Sequence, residues 1–145
     1  MISDEEIIRA TVAYVQEELK QAEGGHDWWH INRVWNNAKH IAKNENVDLL
    51  IVGALLHDIA DSKFHDGNEE IGKVKTAAFL RSLKVDEETI DRVVKIVAHI
   101  SFKGGNENKV YQSPELSVVQ DADRLDALGA IGIARAFNYG GFKNR

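Results

Sequence analysis

Eight consecutive apolar residues, Leu49-Leu50-Ile51-Val52-Gly53-Ala54-Leu55-Leu56, run directly into His57-Asp58, with Asp61 one helical turn further on. A stretch this uniformly apolar reads as a buried helix. At 145 residues the chain is long enough to supply the single packed domain such a helix requires. Ending a buried helix with an imidazole and a carboxylate is unfavourable unless something satisfies both. A divalent metal would do so, being the largest local charge a site can carry, and both residue types suit first-row divalent metals.

Composition narrows the function classes. The chain is 43% hydrophobic and 28% charged, ordinary for a soluble globular protein. A net charge of −5 argues against a nucleic-acid groove or an anionic membrane surface, both of which favour basic patches. With no cysteine, disulfides, thiolate metal sites and cysteine nucleophiles are excluded. Met1-Ile2-Ser3-Asp4-Glu5-Glu6 is acidic and lacks a hydrophobic signal region, and the apolar octet is too short to span a bilayer. These features predict a cytoplasmic protein; separately, a monomer or homodimer with a small-molecule partner is expected.

Helical periodicity dominates and strand signals are nearly absent, so the expected fold class is all-α, with about six to seven helices in one domain over 1–145. Ser3-Asp4-Glu5-Glu6 is a capping box opening a first helix that ends at Gly24-Gly25. Asp27 caps a second, to about Asn46, with Ile31, Val34, Trp35, Ala38, Ile41 and Ala42 on its apolar face. Asp48 caps the third, through about Asp61. After a polar loop from Ser62 to Gly67, a fourth runs from Asn68 to Leu83 and a fifth from Asp86 to His99. Ser101 to Ser113 has no periodic pattern, as expected of a lid, a binding loop or a surface connection. Ser113-Pro114 starts a sixth helix carrying Leu116, Val118, Val119, Ala122 and Leu125. Gly129 to Gly132 then leads into a last helical segment near Phe137.

Residues able to carry chemistry recur on three of these helices. His30 begins the second, with Arg33 and Asn37 on the same edge; His57, Asp58 and Asp61 end the third; Asp121, Asp123 and Asp126 lie in the sixth. If the three pack together, one His, one His-Asp pair and one Asp converge. Two imidazoles and two carboxylates suit Mn, Fe, Co, Ni or Zn better than Mg or Ca, which take all-oxygen shells. The rival structural reading makes His57-Asp58 a buried hydrogen-bonded pair with no metal.

The order His30, then His57-Asp58, then Asp123 within Ala122-Asp123-Arg124-Leu125 resembles the HD-domain phosphohydrolase superfamily, which is all-helical and named for its His-Asp pair. The likeness extends from about His26 to Tyr139. His26-Asp27-Trp28-Trp29-His30-Ile31-Asn32-Arg33-Val34, His57-Asp58-Ile59-Ala60-Asp61 and Asp121-Ala122-Asp123-Arg124-Leu125-Asp126-Ala127 are similar to a small bacterial branch that includes metal-dependent nucleotide pyrophosphohydrolases. The resemblance implies metal ligands His30, His57, Asp58 and Asp123, and one divalent transition metal per chain, with manganese favoured and Fe, Co, Ni or Zn as alternatives. It places Asp61 where related nucleotide hydrolases carry the acid that orients or activates water; most have glutamate there, so aspartate shortens the reach by one methylene. Members of that branch continue past the equivalent of residue 145, so their C-terminal helices are expected to be missing here.

Hydrolysis of a phosphate ester also needs cations near the leaving oxygen. Arg33 is the first candidate, Lys63 the second and Lys103 the third; the lysines also read as ordinary surface charges. His99 is expected to line the phosphate end of the pocket. His65 and His99 are the alternative pair for a second metal, although their spacing matches poorly and one metal is favoured. Trp28, near His30 and off the main apolar face, is kept as a base-stacking candidate, while Trp29 and Trp35 read as core. Asp126 is expected to brace Arg124 or contact substrate; His26 and His40 read as structural or exposed. The expected activity is hydrolysis of a nucleotide, most sharply a (deoxy)nucleoside triphosphate to monophosphate and pyrophosphate. The alternatives are a phosphomonoesterase, a cyclic phosphodiesterase, or a non-catalytic regulatory module that binds metal and nucleotide.

Overall fold

The structure, a computed structural model, describes residues 2–43, 47–60, 66–68, 70–100 and 111–145. Among these it has seven helices and no strand: α1 (Asp4–Glu18), α2 (Trp28–Ile41), α3 (Val47–Leu56), α4 (Glu70–Ser82), α5 (Glu87–His99), α6 (Pro114–Leu125) and α7 (Gly129–Phe142). The all-α expectation holds. No helix of the described residues is long and apolar enough to cross a membrane.

The apolar octet forms the axis of the domain. All residues of α3 from Leu49 to Leu56 are buried. The helix packs against α1, α2, α5 and α6, so no side of it is left to water. Leu49, Ile51, Val52, Leu55 and Leu56 join Val15, Ile31, Leu80, Ile90 and Val93 in one core cluster. Leu50 and Ala54 join Val34, Ala38, Ile96, Leu116, Val119 and Ala122 in a second. Each large aliphatic side chain buried this way contributes about 1.5–3 kcal/mol. Gly53 lets α5 come close: a Cβ there would meet Ile96 Cγ2 at 3.1 Å.

Four N-caps fall where the side chains place them. Ser3 forms the full capping box with Glu6, Asp27 accepts from the amides of Trp29 and His30, Asp86 from Thr89 and Ser113 from Leu116. Other boundaries differ from expectation. α1 ends at Glu18, well before the glycine pair. α2 stops at Ile41 rather than Asn46, because Ala42 turns into extended backbone (φ −59°, ψ 133°). Asp48 sits inside the first turn of α3, which starts at Val47. α3 ends at Leu56 instead of Asp61, and residues 57–60 form a turn. His57 Nδ1 donates to the Ala54 carbonyl at 2.6 Å, a local bond that competes with continuation of the helix. Asp126 caps the C-terminus of α6 rather than lying within it. Leu125, expected on the apolar face, is exposed. α7 begins at Gly129 itself, where φ is +64°, a conformation that favours glycine.

Candidate metal centre

α2, the end of α3 and α6 bring the chemical residues together. The Asp27 cap starts α2 so that His30 points inward from its first turn, with its side chain buried. The turn after α3 presents His57, also buried, and Asp58. α6 supplies Asp123. His30, His57 and Asp58 each offer a ligand atom within 4.8 Å of the others. Asp123 Oδ1 lies 3.3 Å from His30 Nε2 and 3.4 Å from His57 Nε2, and Asp58 Oδ2 lies 3.8 Å from His30 Nε2. Of Asp121, Asp123 and Asp126, Asp123 is therefore the one facing both imidazoles; Asp121 is exposed and lies 3.8 Å from Arg124.

The two rings are held in the same sense. His57 Nδ1 donates to a backbone carbonyl. His30 Nδ1 is 2.7 Å from Asp126 Oδ2. With each Nδ1 carrying its proton to an acceptor, both Nε2 lone pairs turn toward the carboxylates, as metal-ligating histidines require. His57 Nε2 is buried without a hydrogen-bond partner; the 3.4 Å approach to Asp123 is too poorly aligned to count as one. An orphaned buried nitrogen beside two carboxylates is the arrangement a cation completes, so the residues fit a divalent ion.

Electrostatics agree. Burial works against charging His57, but the Asp123 carboxylate, with Asp58 and the Ala54 carbonyl, pushes its pKa up to about 9. Burial likewise disfavours charge on Asp123, yet His30 and His57 hold it well below the usual carboxylate range.

Asp126, expected to brace Arg124 or contact substrate, has a side chain only 4% exposed, set against His30, Arg33 and Arg135. It accepts from Arg33 Nε at 2.6 Å and Nη2 at 2.9 Å in addition to its contact with His30. Despite the burial, His30 and Arg33 lower its pKa to about 2. Arg33, read from sequence as a phosphate ligand, thus commits one edge of its guanidinium to Asp126. Trp28, expected off the apolar face, packs partly buried against the first core cluster, whereas Trp29 is 64% exposed. His99 Nδ1 donates to the Lys95 carbonyl, and its own carbonyl accepts from Gln120, one turn before Asp123. Asp61, Lys63, His65 and Lys103 lie outside the described residues.

A cavity of about 260 Å³ opens beside Asp58, between the end of α1, the loop preceding α2 and the end of α7; Leu19, Glu23, His26, Ile59 and Phe142 are among its walls. His26, read as structural or exposed, is half-buried there and paired with Glu23. Sequence reasoning also missed Arg135. Its Nε donates to the Gly25 carbonyl at 2.7 Å and its Nη1 to the Asp126 carbonyl at 3.1 Å. The available signal was its isolation: it is the single charged residue between Asp126 and Lys143.

Comparison with known proteins places this geometry in a family. The HD domain family matches residues 28–128. YpgQ of Bacillus subtilis (strain 168) is 42% identical over 133 residues, covering 90% of this chain and 64% of YpgQ, so the chain spans less than two thirds of that relative's length. The crystal structure of B. subtilis YpgQ in complex with ADP superposes with a TM-score of 0.73 at 35% identity, covering 95% of this chain and 69% of that one. An HD-superfamily hydrolase from Bacillus thuringiensis gives 0.76 at 41% identity, covering 99% and 69%. The match runs through most of the chain and takes in His30, the His57-Asp58 pair and Asp123; the chain belongs to the HD domain family.

Proposed function

We propose that this chain is a metal-dependent phosphohydrolase acting on a nucleotide, and that it cleaves a (deoxy)nucleoside triphosphate to monophosphate and pyrophosphate. The observation that carries this reading is the convergence of His30 Nε2 and His57 Nε2 on Asp123 and Asp58, with both Nδ1 atoms already engaged. The HD domain implies a divalent metal; we assign manganese, held by His30, His57, Asp58 and Asp123. A bound divalent ion lowers the pKa of coordinated water and polarises a phosphoryl oxygen.

The protein's own groups do the rest. Asp126 and the Ala54 carbonyl fix the two imidazoles, so no reorientation is needed when ligand enters. Arg33, one-third exposed, keeps donors beyond the two on Asp126 and can meet phosphate charge. Asp61 takes the proton of the attacking water in this reading, and Lys63 and Lys103 supply further positive charge near the leaving oxygen. The cavity beside Asp58 is where the substrate enters. The choice of a nucleotide is supported by the ADP complex of YpgQ.

Elemental analysis of the purified chain, alongside His57→Ala and Asp58→Ala, tests the centre. About one divalent transition metal per chain, lost in both variants, is expected. A metal-free protein that cannot be reconstituted would leave His57-Asp58 a structural pair. Incubation with deoxynucleoside triphosphates and Mn²⁺ should release pyrophosphate; release of orthophosphate instead would favour a phosphomonoesterase.

A further inference from the structure

Arg135 lies in the middle of α7, a helix that buries none of its own residues, yet the Arg135 side chain is only 17% exposed. Its guanidinium reaches two carbonyls at once, that of Gly25 in the loop before α2 and that of Asp126 at the end of α6. Its Nη1 also lies 3.6 Å from Asp126 Oδ2, the oxygen that contacts His30 Nδ1. Arg33 grips the same carboxylate through Nε and Nη2. Asp126 is thus held between two guanidinium groups, one on the helix that carries His30 and one on α7.

We infer that Arg135 is a positioning residue for the metal: it locks Asp126, and through Asp126 the His30 ring, so that the contacts of this one side chain of α7 set the metal affinity of the cluster. This rests on His30 being a ligand, as proposed above. A carboxylate free to rotate about its side-chain torsions would orient an imidazole poorly. A guanidinium that fixes the main chain and faces the carboxylate of the same residue removes that freedom. The bond to Gly25 acts on His30 by a second route, because Gly25 lies two residues before Asp27, the cap that starts α2.

The test is Mn²⁺ affinity by titration calorimetry, with the visible absorption of the Co²⁺-loaded chain as a reading of ligand geometry. Arg135→Ala is expected to weaken Mn²⁺ binding about tenfold and to shift the Co²⁺ bands. Arg135→Lys, which keeps the charge but not the fork, should move both in the same direction and serves if the alanine variant does not fold. In an Asp126→Asn background, Arg135→Ala should cost less than it does in the parent, only the route through Gly25 being left to lose. Asn138→Ala removes a side chain of α7 that faces Gly24 but has no link to Asp126, and it should bind as the parent does. Parent-like binding in both Arg135 variants overturns the inference, as does an equal loss in Asn138→Ala or full additivity with Asp126→Asn. An unaltered chain that binds neither ion is a different failure: it removes the metal centre, and this inference with it.

Discussion

At the scale of single residues, each imidazole is committed on one nitrogen so that the other is available, and the commitments differ. His57 uses a carbonyl three residues earlier, in the last turn of α3, while His30 uses Asp126 from across the domain. Asp123→Asn should therefore abolish metal retention while leaving both rings in place, which elemental analysis with a circular-dichroism control would check. Asp126 has a consequence for stability. Its pKa of about 2 lies below the ordinary carboxylate value of about 3.9. Its pairing with His30 and Arg33 thus stabilises the metal-free fold fully above about pH 4 and is lost as pH falls through about 2. Urea unfolding in chelator between pH 5 and pH 2 should show a steeper loss for the unaltered protein than for Asp126→Asn; parallel profiles would show that the pairing contributes nothing. The candidate ligand types were readable from the chain because an imidazole and a carboxylate ending an apolar run are conspicuous. The partner of Arg33 was not, because it lies 93 positions away.

At the scale of elements, helix starts were legible and helix ends less so. A cap is a local event: Ser3, Asp27, Asp86 and Ser113 each bond to amides two or three residues on, and the sequence shows both ends of that bond. The end of α3 was misplaced because the apolar pattern alone gives no sign that His57 will turn back on Ala54. Asp27→Ala should destabilise the protein by about 1 kcal/mol. It should also weaken Mn²⁺ binding, since the lost bonds are those that start the helix under His30. Denaturant unfolding and calorimetry would read the two effects separately. Gly53→Val should cost about 1–3 kcal/mol, because even a Cβ there meets Ile96 at 3.1 Å and the branches of valine must force α5 outward.

At the scale of the molecule, α3 is shared by both core clusters, so damage to it reaches every packed neighbour. Leu55→Ala should cost about 2–5 kcal/mol, measured by urea unfolding. The proposed metal centre joins α2, the turn after α3 and α6, and an ion bound only by the folded chain would stabilise the whole. Mn²⁺ at about one hundred times its Kd should raise the unfolding free energy by about 2.7 kcal/mol, and chelator should reverse the gain. The same titration on Asp123→Asn should show no shift in Tm. The sequence by itself determined that the chain is helical, that its third helix is buried and that His30 and His57-Asp58 are candidates for metal binding. Those features are periodic or local, and a few adjacent residues suffice to express them. Only the tertiary structure decided that Asp123 faces both rings, that Asp126 holds His30 and Arg33, and that Arg135 joins Gly25 to Asp126. The bonds to His30 and Gly25 connect groups 96 and 110 positions apart; no short-range pattern encodes such pairings, which exist only once the helices have packed.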